Sequence, residues 1–216
     1  MKEAIFISGI DTDAGKTYAT AYYARMLARH GVSVVTQKFI QTGCRDTSED
    51  IEAHRRLTGS GPLPEDESHL TAPIIFSYPA SAQLAARIDG CEIDTSLIAN
   101  ATEELLRRYD RVLIEGAGGL MVPITDDYFA IDYVAEHKLP VILTTNSRLG
   151  SINHTILSLE ALKSRGIELR GVIYNRYFDS DPEISADTRS FIVRYLQRHF
   201  SYAELISMPS YEDWDV

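Results

Sequence analysis

The segment Ala4-Ile5-Phe6-Ile7-Ser8-Gly9-Ile10-Asp11-Thr12-Asp13-Ala14-Gly15-Lys16-Thr17 decides the fold. Its first five residues read as a strand, and a helical pattern begins at Thr17. The connecting loop opens on Gly9 and closes on Gly15-Lys16-Thr17. Backbone N–H groups in such a loop converge on phosphate oxygens, and the helix N-terminus adds partial positive charge. Gly15 lets the backbone approach closely, Lys16 reaches the outer phosphates, and the Thr17 hydroxyl suits Mg2+. The segment therefore reads as a clamp for a nucleoside triphosphate with magnesium. Five residues separate Gly9 from Gly15, one more than the common motif has.

Working outward, the pattern predicts strands at 4–8, 32–37, 111–115, 141–145, 169–175 and 205–208. Helices are predicted at 17–30, 49–57, 81–88, 95–108, 129–137, 152–165 and 185–199. Runs such as Val112-Leu113-Ile114 and Val141-Ile142-Leu143 are apolar on both faces, as parallel strands covered on each side require. Alternating strand and helix predicts an α/β fold, doubly wound, with a mainly parallel sheet flanked by helices. With the clamp at its front it is P-loop NTPase-like, and its ligands belong beyond the C-terminal strand ends. A single domain over 1–216 is expected, with 58–78, rich in Gly and Pro, as a long surface connection.

A second signal follows the strand at 111–115. Glu115 ends that strand and Gly116-Ala117-Gly118-Gly119 follows. A carboxylate there faces magnesium or its water shell in phosphate-loop enzymes, and the glycines permit close backbone approach to a ligand. Lys38 follows the second strand, where a lysine either points into the ligand crevice or snorkels to solvent. Asp50 opens the next helix, as a simple helix-start carboxylate or as a second carboxylate for the metal. Free N–H groups at the helix start near Ser151 suit a carboxylate. Asn153 and His154 beside it read equally as ligand contacts or as capping and packing residues.

Bulk properties bound the chemistry. The 216 residues carry a formal net charge of -10 and no Lys/Arg run, even the tail Glu212-Asp213-Trp214-Asp215 being acidic. That balance argues against nucleic acid and anionic membranes as partners. No apolar run approaches a membrane span, and the start lacks the pattern of a secretory signal. Cys44 and Cys91 have no metal or redox spacing, so reduced thiols in a cytoplasmic protein are expected.

Assembled, these residues resemble the dethiobiotin synthetase family, ATP-dependent carboligases of biotin biosynthesis. The matches run from Gly9 to Gly171: the clamp with its five-residue spacing, Lys38 with Thr42-Gly43, Glu115 to Gly119, and Leu149-Gly150-Ser151-Ile152-Asn153-His154. The resemblance implies that 7,8-diaminononanoate takes up carbon dioxide as a carbamate, which attacks the γ-phosphate of ATP. Ring closure of the carbamic-phosphoric anhydride then releases phosphate. It implies Lys16, Lys38, Thr12 and Thr42 as catalytic residues, and Thr17, Asp50 and Glu115 as magnesium ligands. Nucleotide contacts would come from Asp13, Ala14, Gly15, Lys16, Thr17, Tyr18, Glu115, Gly116, Gly118 and an adenine-reading Asn175. Substrate contacts would come from Lys38, Thr42, Ser81, Gly118, Gly150, Ser151 and Asn153, the last three at the interface of a homodimer. The chain departs from the family at Phe39, commonly proline, and at Ala82-Gln83, often Pro-His.

Two other classes share the clamp. Amide synthetases acting on cobyrinic-acid-like substrates need a glutaminase module with a nucleophilic cysteine, for which this chain has no room. Partitioning-type ATPase switches usually carry an extra lysine early in the loop, where this chain has Ile10 and Asp11, and a basic surface.

Overall fold

A computed structural model describes residues 2–214, so Asp215 of the acidic tail lies outside the described residues. The strands are β1 (Glu3–Gly9), β2 (Val34–Lys38), β3 (Gln41–Thr42), β4 (Ile75–Phe76), β5 (Arg111–Glu115), β6 (Val141–Asn146), β7 (Leu169–Asn175) and β8 (Glu204–Met208). The helices are α1 (Lys16–Arg29), α2 (Glu49–Thr58), α3 (Pro64–Glu67), α4 (Ala82–Asp89), α5 (Ser96–Arg108), α6 (Ala130–Glu136), α7 (Ser151–Ser164) and α8 (Pro182–His199). Six strands form one parallel sheet in the order β2-β5-β1-β6-β7-β8. The chain leaves β1 toward β2 on one side and later crosses to β6 on the other. The C-terminal end of β1 is therefore the crevice where such sheets bind ligands.

Alternation along each strand explains the two-sided burial. Ala4 and Phe6, Val112 and Ile114, Val141 and Leu143 pack into one core with Ile98 and Leu105 of α5, Leu159 of α7 and Ile192 of α8. Ile5, Ile7, Leu113, Ile142 and Ile173 pack into a second core with Ala19, Ala21 and Ala24 of α1 and Leu57 of α2. Small alanines let α1 lie close to the sheet. Ile142 is fully buried, and truncating such a residue to alanine costs about 2–5 kcal/mol.

The doubly wound expectation holds, with most boundaries within two residues. Helix α8 starts three residues earlier than expected, because Asp181 accepts hydrogen bonds from Glu183 and Ile184 N–H and Pro182 takes the first helical position. The stretch 58–78 is the main correction: it is not merely a surface connection. It holds α3 and β4, buries Thr71, Ala72, Ile74 and Phe76, and pairs β4 with β3 in a small parallel sheet. Arg55 grips Asp66 through Nε and Nη2 at 2.9 and 2.7 Å, tying this stretch to α2.

Candidate active site

The phosphate loop leaves β1 and makes one turn of 3-10 helix at Thr12–Ala14, where Asp11 accepts from Thr12 N–H. That turn absorbs the extra residue. Gly15 follows with φ of +89°, and a Cβ there would lie 2.2 Å from Asn175 Nδ2, so glycine is required. Buried Lys16 folds over its own loop, donating to the carbonyls of Asp11 and Thr12 at 3.0 Å each. Burial is the main force lowering its pKa to about 8; Lys38 lowers it further, while Glu115, Asp50 and Asp11 oppose.

Four groups from four elements meet beside the loop. Lys38 Nζ lies 2.9 Å from Glu115 Oε1 and 2.5 Å from Asp50 Oδ2. Thr17 Oγ1 donates within 3.0 Å of Asp50 Oδ1 and 3.2 Å of Glu115 Oε1. Burial alone would lower the Lys38 pKa, but Glu115 and Asp50 override it and hold the ammonium above the usual lysine value. Burial likewise would raise Glu115, but Lys38 and His54 hold the carboxyl far below the usual range. Ser48, not Asp50, caps α2 by accepting from Ile51 N–H at 3.2 Å. The Asp50 carboxylate is thereby left for Thr17 and Lys38.

These oxygens fit magnesium. Mg2+ is a hard cation that takes one or two carboxylates and completes its shell with phosphate and water oxygens. Two carboxylates that each lie within hydrogen-bond distance of one hydroxyl are such a set. Among the described residues no cluster of three or more His, Cys, Asp or Glu forms a fuller cage.

A cavity of about 720 Å³ joins this cluster to Thr12, Asp13, Gly15, Lys16, Tyr18, Thr42, Gly118 and Asn175. Ala14 is buried beneath it, its carbonyl accepting from Asn175 Nδ2 at 3.2 Å. The Asn175 Oδ1 accepts from Tyr177 N–H at 3.1 Å, leaving one N–H and one lone pair of the amide. Gly116 accepts from Lys38 Nζ at 3.4 Å. Ser81, Gly150, Ser151 and Asn153 do not line this cavity. Ser81 sits exposed before α4 and caps nothing. Gly150 and Asn153 are exposed at the start of α7, while Ser151 is buried with its hydroxyl lacking a hydrogen-bond partner among the described residues.

Several lining residues were not singled out from the sequence. Arg148 donates to Asp13 O at 2.8 Å and stacks over Phe178 at 4.0 Å. Tyr177, Phe178, Met208, Pro209, Ser210, Tyr211 and Glu212 form the far wall. His54, buried beneath the cluster, meets Glu115 Oε2 at 2.6 Å. Its spacing from Asp50, four residues on one helix, is the signal that could have found it.

A family model described as an AAA domain matches residues 3–213. The ATP-dependent dethiobiotin synthetase BioD 2 of Pasteurella multocida is 46% identical over 213 residues, covering 96% of this chain and 100% of that protein. The protein of that name from Haemophilus ducreyi is 47% identical, over 96% of this chain and 99% of the relative. The ATP-dependent dethiobiotin synthetase BioD of Chlorobaculum tepidum is 46% identical over 95% and 87%. The chain belongs to the ATP-dependent dethiobiotin synthetase family. Dethiobiotin synthetases are ATP-dependent ligases of biotin biosynthesis, and that is the enzyme class of this chain. Among solved structures, a ParA family ATPase from Chlorobium tepidum superposes with a TM-score of 0.55 at 16% identity, over 97% of this chain and 86% of that one. A plasmid partition protein from Borrelia burgdorferi gives 0.55 and 16%, over 100% and 92%. At that identity the likeness shows the phosphate-loop fold alone, and the partitioning reading gains nothing from it.

Proposed function

We propose that the enzyme carboxylates 7,8-diaminononanoate with CO2 and closes the ureido ring of dethiobiotin, releasing ADP and phosphate. The observation that carries this reading is the Lys38 ammonium, set at 2.9 and 2.5 Å on Glu115 and Asp50 beside the phosphate loop. A triphosphate switch needs the loop and the carboxylates; a buried lysine aimed at the same point suits an anionic second substrate. The carbamate oxygen attacks the γ-phosphorus, ADP leaves, and the second amine attacks the anhydride carbon and expels phosphate. Lys16 and Lys38 neutralise the γ-phosphate and the carbamate, and Thr12 and Thr42 add hydroxyl contacts. Phosphoryl transfer of this kind depends on positioning and charge neutralisation.

Thr17, Asp50 and Glu115 would hold Mg2+, which when bound supplies charge neutralisation at the phosphate oxygens. Asn175 would use its remaining amide N–H and lone pair on adenine, while Asp13, Ala14, Gly15, Tyr18, Gly116 and Gly118 line the nucleotide. Gly150 and Asn153 are exposed at the start of α7, with Ser151 buried between them, and none of the three lines the phosphate cavity of its own chain. Such placement supports a homodimer in which they receive the distal carboxylate of the diamine in the neighbouring subunit's site, with Ser81 as a further contact. We read residues 1–216 as one synthetase domain working in the cytoplasm, in keeping with the free Cys44 and Cys91. Among the described residues no helix is long and apolar enough to cross a membrane.

The test supplies ATP, Mg2+, bicarbonate and 7,8-diaminononanoate and measures phosphate and dethiobiotin together. Equal amounts of both, dependent on the diamine, are expected. Phosphate release that ignores the diamine, with no dethiobiotin, overturns the reading.

A further inference from the structure

We propose that His54 is a positioning residue for Glu115, fixing that carboxylate so that Oε1 stays aimed at Thr17 and Lys38. The inference rests on the magnesium site proposed above. His54 lies one helical turn beyond Asp50, so α2 delivers both residues to the same place. The ring is fully buried, and its Nε2 stands 2.6 Å from Glu115 Oε2. An ionised carboxylate only accepts, so the ring donates from Nε2. The two oxygens of Glu115 therefore have separate tasks. Oε1 takes Thr17 and Lys38 at 3.2 and 2.9 Å, and Oε2 takes His54.

The other ring nitrogen argues against a purely structural role. His54 Nδ1 is buried without a hydrogen-bond partner among the described residues. Burying an unpaired polar atom costs about 1–3 kcal/mol, and an apolar side chain would fill the same space without it. The terminal torsion of a glutamate is broad and roughly two-fold, so neither sterics nor rotamer preference selects its orientation. One directed donor at Oε2 does. Hydrogen bonds to metal-binding carboxylates commonly set metal affinity in this way.

Two substitutions separate this role from packing. His54→Gln places an amide N–H at the reach of Nε2, and His54→Asn keeps the polarity but falls short of Glu115. Trp214 is the only tryptophan in the sequence and packs on Tyr211 of the cavity wall at 5.0 Å, so its fluorescence should change when ADP binds there. The titration is run with and without Mg2+ in wild type and both variants. ADP binding without Mg2+ should be equal in all three. The Mg2+ concentration that half-maximally tightens ADP binding should rise about tenfold in His54→Asn and return near wild type in His54→Gln. Unchanged Mg2+ dependence in His54→Asn overturns the proposal, as does equal loss of Mg2+-free binding in both variants. Should His54→Asn not fold, 15N-histidine spectra of the wild type decide, with His54→Gln assigning the signal. The His54 Nε2 proton should shift with Mg2+ and ADP but not with ADP alone, and invariance overturns the proposal. Failure of the magnesium site itself looks different: wild-type ADP binding would then ignore Mg2+.

Discussion

Lys38 and Glu115 are register partners on adjacent parallel strands, and their side chains meet at 2.9 Å at the ends of those strands. The sheet itself thus sets one cation against one carboxylate, and α2 adds Asp50 from above. Lys38→Ala removes the ammonium that, among the described residues, is alone in pairing with both carboxylates. Breaking a buried ion pair from one side costs about 3–5 kcal/mol, so the variant should melt lower than wild type. Mg2+ should recover much of that loss, since the two carboxylates then share a cation again. Dethiobiotin formation should fall by at least about a thousandfold (~4 kcal/mol of barrier), while ADP still binds. A variant that keeps its turnover would remove Lys38 from the carbamate.

Lys16 gives a pH dependence with a defined sign. Its pKa in the free protein lies at about 8, and bound phosphates favour the charged form and raise it. Below pH 8 the ammonium is already present, and binding is insensitive to this group. Above pH 8 each binding event must take up a proton, so ADP affinity falls by up to about tenfold per pH unit until the pKa of the complex is reached. Calorimetry in buffers of different ionisation enthalpy should show proton uptake growing from pH 7.5 to 9. Lys16→Arg, which stays charged, should bind with little pH dependence in that range.

How much was legible follows from which residues carry local signals. Val112-Leu113-Ile114 must be covered on both faces wherever it lies, so the parallel sheet could be read directly. Gly15-Lys16-Thr17 needs only a strand before it and a helix after it. The segment around Glu65 gave no such period, because its side chains answer to partners outside it: Asp66 to Arg55, 11 residues back, and Glu65 to Arg108, 43 residues on and 3.1 Å away. His54 was hidden for a related reason. Its spacing from Asp50 has meaning only once Ser48 is known to cap α2, leaving Asp50 to face inward. Arg148 and Asp13 are 135 residues apart, and no local pattern joins them.

Gly15 and Asn175 form a second long-range pair. Gly15→Ala would place a methyl group 2.2 Å from Asn175 Nδ2 and force alanine into a left-handed conformation, which alone costs about 1–2 kcal/mol. Thermal unfolding should show a loss larger than that, with weakened ADP binding. Asn175→Ala clears the space, so the double variant should be more stable than the sum of the two single losses. Strict additivity would show that the amide does not press on the loop.

The wall at Met208 to Glu212 is held by one aromatic anchor. Trp214 packs against Tyr22 at 5.2 Å, Tyr211 at 5.0 Å and Tyr18 at 6.3 Å, and its Nε1 donates to Pro209 O at 3.1 Å. Tyr18 also lies on the cavity side of α1, so the anchor links both sides of the cavity. Aromatic pairs contribute about 0.5–1.5 kcal/mol each beyond area burial. Trp214→Ala should therefore loosen the segment from Pro209 onward and weaken ADP binding about tenfold, and because Trp214 belongs to the second core with Ile5, Ile7 and Leu113 it should also destabilise the fold by about 3–5 kcal/mol. Trp214→Phe keeps the ring contacts and loses only the Nε1 hydrogen bond, so it should bind ADP within about threefold of wild type, a difference of ~0.7 kcal/mol. Calorimetry measures both. Equal affinity in wild type and Trp214→Ala would show that the C-terminal wall stands without its anchor.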